Sequence, residues 1–343
     1  MSIGILLINL GSPKSTDPQD VKTYLDEFLM DKYVIDLPYL VRFLLVKGII
    51  LNVRPKKSAE AYESIWWENG SPLIEISKQV QHKLKDIVSQ PMALAMRYAE
   101  PSIKTGIEDL LNQHADLTHI IAVPLYPHYA MATTQTVVEK TNDVIAQSFP
   151  HLNVDYVPPF FDHPTYVNAL HHSIQSKLTP ETDYLLFSYH GVPVRHLKKT
   201  DPTKKHCYKI KDCCHIPNPV AHPVCYAHQV KRTTELVMQK IDFPRKKWSW
   251  AFQSRLGLDE WLQPFADDEI ERLAKSGVKH LAVCCPAFVS DCLETLEEIG
   301  EEGRDIFLEH GGESFTLIPC LNDQDLWISS LHTLIQERLD NLK

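Results

Sequence analysis

The amino-acid sequence predicts an α/β protein of two similar domains, each with a four-stranded parallel sheet flanked by helices. Three observations lead to this prediction. The chain contains eight short apolar, β-rich runs, the intervals between them suit helices, and the first four runs resemble the last four. Strands that alternate with helices in this way form parallel βα units. A chain of 343 residues is long enough for two such domains.

The strand predictions rest on β-branched and apolar residues bounded by turn-forming residues. In chain order the predicted strands are 3–10, 92–98, 119–125, 154–158, 184–189, 248–253, 280–285 and 315–319. Amphipathic patterns between them predict helices that include 76–88 and 259–276.

The two halves of the chain share a weak internal repeat. The L-I-N-L-G-S-P motif around Gly11 corresponds to F-S-Y-H-G-V-P around Gly191, and Arg97 corresponds to Arg255 after the second strands. The first half has a longer connection between its first two strands, and the apolar segment 37–52 lies within it.

This repeat sets the domain boundaries that we expect. The first domain takes residues 1–158 together with a C-terminal helix at 323–343. The second domain takes residues 159–322 and carries a cysteine-rich insert at 206–228. Ligands of open α/β sheets bind at the carboxyl ends of the strands, so the functional residues are expected there.

Composition and charge exclude some classes of protein. A net charge of −9 without a basic tail argues against nonspecific nucleic-acid binding. No apolar run reaches the roughly 18 residues that a membrane-spanning helix needs, and no signal-peptide pattern is visible, so we expect a cytoplasmic protein.

The segment 37–52 is apolar apart from interruptions that include Arg42 and Lys47. It suits a membrane interface, the lining of an apolar cleft or an ordinary buried helix.

Polar motifs follow several of the predicted strands. His190 ends the fifth strand beside Gly191, where an imidazole could accept a proton at neutral pH or simply stabilise a turn. The G-S-P turn after the first strand lacks the glycine pattern of dinucleotide-binding sites. The polar Gln253-Ser254-Arg255 sequence suggests ligand contact.

An acidic run follows the seventh strand. In an α-helix, Glu294, Glu298 and Glu302 would lie on one face and raise one another's pKa. Such a face is either solvated or conducts cations or protons towards the end of the strand.

The insert contains four cysteines close together, Cys207, Cys213, Cys214 and Cys225. Four thiolates suit either tetrahedral Zn²⁺ or a [2Fe–2S] cluster, and four nearby histidines leave mixed ligation open. A site without metal is the third alternative. Cys284, Cys285 and Cys320 are interpreted as core thiols.

Taken together, the motifs closely resemble the ferrochelatase family over nearly the whole chain. The matching segments are L-I-N-L-G-S-P, G-S-P-L after Trp66 and Trp67, A-M-R-Y, S-Y-H-G-V-P, F-Q-S-R-L-G and D-C-L-E-T-L-E-E-I. The resemblance implies two Rossmann-like domains and an enzyme, a lyase, that inserts Fe²⁺ into protoporphyrin IX or coproporphyrin. The product would be haem, with the release of two protons.

The resemblance also implies roles for individual residues. His190 and Glu294 match the family's catalytic pair, for proton removal and Fe²⁺ coordination, and Glu298 and Glu302 match an acidic path on a π-type helix. Arg97 and Tyr98 match a polar pair near the inner end of the porphyrin pocket. The other positions that match residues lining this pocket are Leu10, Arg54, Lys57, Ser71, Ser254 and Trp261. Cys292 stands where some members have histidine, which leaves any metal-relay role of that side chain open.

The same resemblance extends to cofactors and partners. A subset of microbial ferrochelatases binds a [2Fe–2S] cluster through cysteines, some of them in this region, so the insert is expected to hold one, with Zn²⁺ or no metal as alternatives. Segment 37–52 corresponds to an apolar lip that contacts the membrane in many members. The protein would be a monomer or homodimer.

Rival interpretations are a cobalt chelatase acting on a more anionic tetrapyrrole and a non-catalytic haem or iron carrier. The presence of both His190 and Glu294 counts against the carrier.

Overall fold

The computed structural model describes residues 1–244, 247–257 and 259–342 as two compact units. The first unit contains Met1–Tyr126, Met131–Pro158 and the segment from Asp323 onward. The second contains Pro127–Ala130 and Pro159–Asn322. Within the described part of the chain, no helix is long and apolar enough to cross a membrane.

Each unit has one four-stranded, entirely parallel sheet, which confirms the predicted fold class. The strands of the first are β1 (Ile3–Asn9), β2 (Met92–Met96), β3 (His119–Pro124) and β4 (Asn153–Tyr156), and those of the second are β5 (Tyr184–His190), β6 (Trp248–Gln253), β7 (His280–Cys284) and β8 (Ser314–Leu317). The spatial orders are β2-β1-β3-β4 and β6-β5-β7-β8. The same order in both sheets accounts for the sequence repeat.

Helices cover both sheets, because the central strands are apolar on both faces. From Ile5 to Ile8 every side chain of β1 is fully buried. The helices are α1 (Pro18–Leu29), α2 (Tyr39–Leu45), α3 (Leu51–Ile65), α4 (Pro72–Lys85), α5 (Ile103–Gln113), α6 (Thr136–Ser148), α7 (Pro164–Gln175), α8 (Val194–Thr200), α9 (Tyr226–Met238), α10 (Ala266–Lys275), α11 (Arg304–Glu309) and α12 (Asp325–Asn341). Further segments, Val46–Ile50, Met131–Gln135 and Glu294–Gly303, are π-helical.

The start of one predicted helix was wrong. The sequence pattern placed a helix over 259–276, but α10 begins only at Ala266. Trp261 pairs with Pro193, and Phe265 pairs with Phe252 at the end of β6. Pro264 disfavours a helical conformation at the residue before it, so the chain stays non-helical up to Phe265.

The apolar segment 37–52 forms α2, the π-helical turn and the beginning of α3. The buried-helix alternative is excluded, because Leu40 is 72% exposed and Leu44 is 66% exposed. Both charges that interrupt the segment are held by the protein. Arg42 donates to the carbonyl oxygens of Ile35 and Leu37, and Lys47 pairs with Asp26.

His128 anchors the short segment Pro127–Ala130 inside the second unit. Its Nε2 lies 2.9 Å from the hydroxyl oxygen of Thr233, and its ring packs edge-on against Tyr189 and Tyr226. Burial lowers the pKa of His128 to about 3. An unfolded chain protonates histidine near pH 6.5, so between pH 6.5 and 3 the unfolded state binds a proton that the folded state does not. Stability therefore falls as pH falls through this range.

We predict that the His128→Gln variant depends less on pH than the parent protein. Between pH 7 and pH 5, the parent should lose about 2 kcal/mol more of its unfolding free energy than the variant, because about 1.4 kcal/mol is lost per pH unit below 6.5. Urea unfolding at the two pH values measures the difference, with His151→Gln as an exposed control. Parallel losses in all three proteins would contradict the prediction.

Candidate functional site

His190 lies at the carboxyl end of β5 and is half-buried. Its Nδ1 is 2.6 Å from the carbonyl oxygen of Gly191. A carbonyl oxygen can only accept a hydrogen bond, so Nδ1 carries the hydrogen. In the neutral ring this leaves the lone pair on Nε2, which is the form that accepts a proton from a ligand.

The backbone around His190 is fixed on several sides. The Gly191 N–H donates to the carbonyl oxygen of Gln253 (2.7 Å), and the Tyr226 hydroxyl donates to the carbonyl oxygen of His190 (2.9 Å). A Cβ atom on Gly191 would lie 3.0 Å from the Gln253 oxygen and 3.1 Å from that of Ser254. Glycine is therefore needed for the close approach of β5 and β6 at this position.

Three groups at the end of β6 bind the carboxylate of Glu298. It accepts hydrogen bonds from the Ser254 N–H (2.7 Å), the Ser254 hydroxyl and the Gln253 amide (3.3 Å). Burial raises the pKa of Glu298, and the neighbouring Glu294 adds to the rise, whereas Ser254, His190 and Gln253 act in the opposite direction. A carboxyl with a raised pKa is suited to proton transfer near neutral pH.

Glu294 begins the π-helical segment Glu294–Gly303. Its carbonyl oxygen accepts from the Gln253 side chain at 2.6 Å, and its carboxylate forms a hydrogen bond with the Cys292 thiol. Burial raises the pKa of that thiol well above its usual value. His190 and Glu294 both act electrostatically on Glu298, so the structure brings these three candidates together. Glu302, by contrast, is exposed.

Gln253 and Asp291 are structural members of the site, and sequence reasoning missed Asp291. Gln253 is 3% exposed, and it accepts from the Ser188 hydroxyl (2.7 Å) while its amide donates to the π-helical segment. Asp291 accepts from the Cys320 N–H (3.2 Å) and from the side chains of Thr295 (3.0 Å) and Asn322 (2.7 Å). Only the Gln-Ser-Arg sequence at the strand end pointed to Gln253.

The remaining candidates of the second unit have separate surroundings. Ser254 contacts Glu298, whereas Arg255 pairs with Asp267 (3.1 Å) and lies over the ring of Phe265. The indole N–H of Trp261 donates to the Leu256 carbonyl oxygen at 3.1 Å.

In the first unit, Arg97 and Tyr98 converge on a buried carboxylate, Asp31. Arg97 Nη2 lies 2.5 Å and the Tyr98 hydroxyl 2.8 Å from Asp31 Oδ2, and Arg97 Nε donates to Thr136 (2.8 Å). Burial, reinforced by Asp31, raises the pKa of Tyr98 well above its usual value. No sequence pattern pointed to Asp31, because it lies just after α1, far along the chain from its partners.

The other first-unit candidates differ in exposure. Leu10 is half-buried and packs against the core of the first sheet, and Ser71 is buried directly before α4. Arg54 and Lys57 are exposed on α3.

The four cysteines of the insert are all buried. Their thiols form a chain of contacts in which Cys225 touches Cys207 and Cys214, and Cys214 also touches Cys213. The contact with Cys207 is the main cause that raises the pKa of Cys225 to about 12. These four cysteines form no disulfide bonds. In the described residues, no group of three or more His, Cys, Asp or Glu side chains is arranged around a metal position.

Asp201 organises the backbone at the beginning of the insert. Its carboxylate accepts from the N–H groups of His206 (2.9 Å) and Cys207 (3.0 Å) and from the side chain of Thr203 (2.7 Å). Burial opposes the charge of Asp201, but hydrogen bonds from Thr203, Cys207 and His206 lower its pKa to about 2. The first cysteine of the insert is thereby held by a buried carboxylate.

Comparison of the three-dimensional structure with solved structures supports the fold. SirB from Bacillus subtilis, solved with Fe³⁺, superposes with a TM-score of 0.54 at 15% sequence identity and covers 98% of this chain and 95% of its own. The sirohydrochlorin chelatase SirB from Bacillus subtilis subspecies spizizenii, in complex with cobalt, gives the same TM-score at 14% identity.

Sequence comparison identifies the family. The ferrochelatase family model matches residues 2–339. The ferrochelatase of Pseudomonas fluorescens (strain Pf0-1) is 47% identical over 333 residues, which are 97% of each chain. The ferrochelatase of Opitutus terrae is 48% identical over 331 residues, or 95% of each chain. The chain therefore belongs to the ferrochelatase family.

Proposed function

We propose that this member of the ferrochelatase family inserts Fe²⁺ into protoporphyrin IX or coproporphyrin with His190 as the base. The observation that carries the proposal is the Nδ1 contact of His190 with the Gly191 carbonyl oxygen, which leaves Nε2 as the proton acceptor. A free-base porphyrin loses two pyrrole N–H protons as Fe²⁺ enters, so the reaction yields haem and two protons. A base that faces the ring nitrogens is what this chemistry requires.

The carboxylates beside His190 would handle the metal and the protons. Glu294 coordinates Fe²⁺, for which a carboxylate oxygen is a suitable ligand. Glu298, whose pKa burial raises, receives a proton from His190 and returns the base to its neutral form. Glu302 is exposed on the same π-helical segment and would complete the acidic path at its solvent end.

Porphyrin recognition would combine apolar contact with a few charges at the edge of the ring. Leu10 and Trp261 offer apolar surface, and the exposed Arg54 and Lys57 are suited to the anionic propionates. Ser71 and Ser254 add neutral donors. Arg97 and Tyr98, held by Asp31, form a preorganised polar pair for the same pocket.

We predict that His190→Ala lowers kcat by about 10²–10⁴-fold, because a positioned general base contributes that much. Anaerobic mixing with Fe²⁺ and porphyrin, followed by the loss of porphyrin fluorescence, measures the rate. Quenching experiments without metal should show unchanged porphyrin binding. The control is His151→Ala, which replaces an exposed histidine. Full activity of His190→Ala would refute the role of the base, and an inactive parent protein would refute the activity.

The cysteine-rich insert would bind a [2Fe–2S] cluster, because four cysteines are a donor set of this group. Binding would draw the four thiols together, since no three of them surround a metal position in the described residues. Four buried thiols touch in sequence, and no disulfide joins them. The contact with Cys225 and burial raise the pKa of Cys214, and the contact with Cys207 raises the pKa of Cys225. A metal centre would bind these cysteines as thiolates. Cys207, Cys213, Cys214 and Cys225 would hold the cluster, which supplies one-electron redox chemistry when bound.

We predict that the anaerobically purified protein contains iron and acid-labile sulfide and absorbs visible light. Cys225→Ser should abolish the iron, the sulfide and the visible absorbance, because Cys225 lies between two of the other thiols. Cys284→Ser is the matched control, since Cys284 is a buried core thiol of β7. Metal analysis that finds one Zn²⁺ and no sulfide would favour the zinc alternative, and no metal in the parent protein would exclude both.

The apolar segment 37–52 would contact the membrane surface, and a cytoplasmic location peripheral to the inner membrane fits this role. Support comes from its exposed apolar side chains, Tyr39, Leu40, Val41, Phe43, Leu44 and Ile49. A surface of this kind suits an enzyme whose substrate and product are hydrophobic discs.

We predict that the triple variant Leu40→Ser, Leu44→Ser, Ile49→Ser binds lipid vesicles at least about tenfold more weakly than the parent, since each buried apolar side chain contributes about 1.5–3 kcal/mol. Co-sedimentation with vesicles measures binding. The control is Leu308→Ser, Leu326→Ser, which removes exposed leucines elsewhere. Equal sedimentation of all three proteins would reject the membrane contact.

A further inference from the structure

Three histidines of the insert direct ring nitrogens at the carbonyl groups of its adjacent cysteines. His206 Nε2 lies 2.8 Å and His222 Nε2 3.1 Å from the carbonyl oxygen of Cys213. His228 Nδ1 lies 2.8 Å from the carbonyl oxygen of Cys214. Because carbonyl oxygens only accept, each of these nitrogens is a donor and carries a hydrogen. None of the three can therefore be a metal ligand through the nitrogen that makes this contact.

The three rings form one packed block. His222 and His228 stack with centroids 3.6 Å apart, and His206 meets His222 edge-on at 5.2 Å. The Nε2 atoms of His206 and His222 are 3.2 Å apart because both converge on one oxygen. The backbone of His222 is itself held, since its carbonyl oxygen accepts from the Gln229 amide and its N–H donates to Asn218.

The position of Cys213 and Cys214 explains why such donors are needed. The two residues are consecutive in a turn, outside any helix or strand, and both are buried. Their thiols nevertheless both take part in the chain of thiol contacts. Two buried carbonyl groups in an irregular turn require hydrogen-bond donors, and here the imidazoles supply them in place of backbone N–H groups.

We infer that His206, His222 and His228 are positioning residues of the cysteine site. By binding the two carbonyl groups, they fix the turn in which consecutive thiols both face the other cysteines. This inference rests on the proposed binding of a metal centre by the four cysteines. It assigns the histidines to the support of the thiolates and excludes the nitrogens that make these contacts from the ligand set. Residues that hold metal ligands in place without binding the metal typically raise the metal affinity 10–100-fold.

Paired substitutions separate the two roles. The amide nitrogen of glutamine replaces Nε2–H as a donor, whereas leucine removes the donor and keeps the bulk. We therefore compare His222→Gln with His222→Leu, and His206→Gln with His206→Leu. The matched control is His215→Leu, because His215 lies in the same insert, is exposed and has a side chain that pairs with Glu235 at 3.8 Å.

The measurement is Co²⁺ binding to the metal-free full chain, followed by the thiolate-to-cobalt charge-transfer absorbance and by competition with a chelator. We expect the leucine variants to bind about 10–100-fold more weakly, the glutamine variants to stay near the parent, and His215→Leu to be unchanged. The charge-transfer intensity at saturation should be the same in all of them, since the ligands remain four thiolates. Thermal unfolding of each metal-free variant checks the fold.

Other outcomes overturn the inference. If the glutamine variants bind as weakly as the leucine variants and shift the cobalt d–d bands, histidine is a ligand. If the leucine variants bind like the parent, the carbonyl contacts have no positioning role. If the parent shows no thiolate absorbance with Co²⁺, the cysteine site fails together with the inference. The porphyrin assay of the same protein then decides separately whether the proposed iron insertion stands.

Discussion

The arrangement around His190 depends on how β6 is joined to the π-helical segment after β7. The Gln253 amide donates to the carbonyl oxygen of Glu294. The N–H and hydroxyl groups of Ser254 donate to the carboxylate of Glu298, so the end of β6 binds the first turns of that segment. The same end of β6 binds the Gly191 N–H, next to the histidine. One strand end therefore holds the backbone beside the base, the backbone of Glu294 and the carboxylate of Glu298.

The general architecture could be predicted from the sequence because parallel sheets buried on both faces leave a plain pattern. Continuous apolar runs such as β1 and β5 are readable without any knowledge of their partners. The correspondence of Gly11 with Gly191 likewise reflects a local requirement. A Cβ on Gly11 would lie 1.9 Å from the Tyr98 carbonyl oxygen, and one on Gly191 would crowd the end of β6. Local constraints of this kind recur wherever the same sheet order recurs.

The parts that escaped prediction depend on distant residues. Asp31 binds Arg97 and Tyr98, and Asp291 binds Cys320 and Asn322, across separations that no periodicity records. The start of α10 was misplaced because an amphipathic pattern continued through residues that the structure uses to extend along β6. Of the candidate site residues, His190 and the glutamates could be proposed from motifs, whereas the contacts that set their chemistry could not.

The π-helical form of Glu294–Gly303 has a consequence for how this segment can change in evolution. Such a helix closes its hydrogen bonds over one more residue than an α-helix does. If the segment stayed π-helical, a single-residue deletion before Glu298 would move every later side chain one position round the helix axis. Substitutions would alter one group at a time, but a deletion would redirect Glu298 and all that follows. The length of this segment is therefore constrained more strictly than its composition.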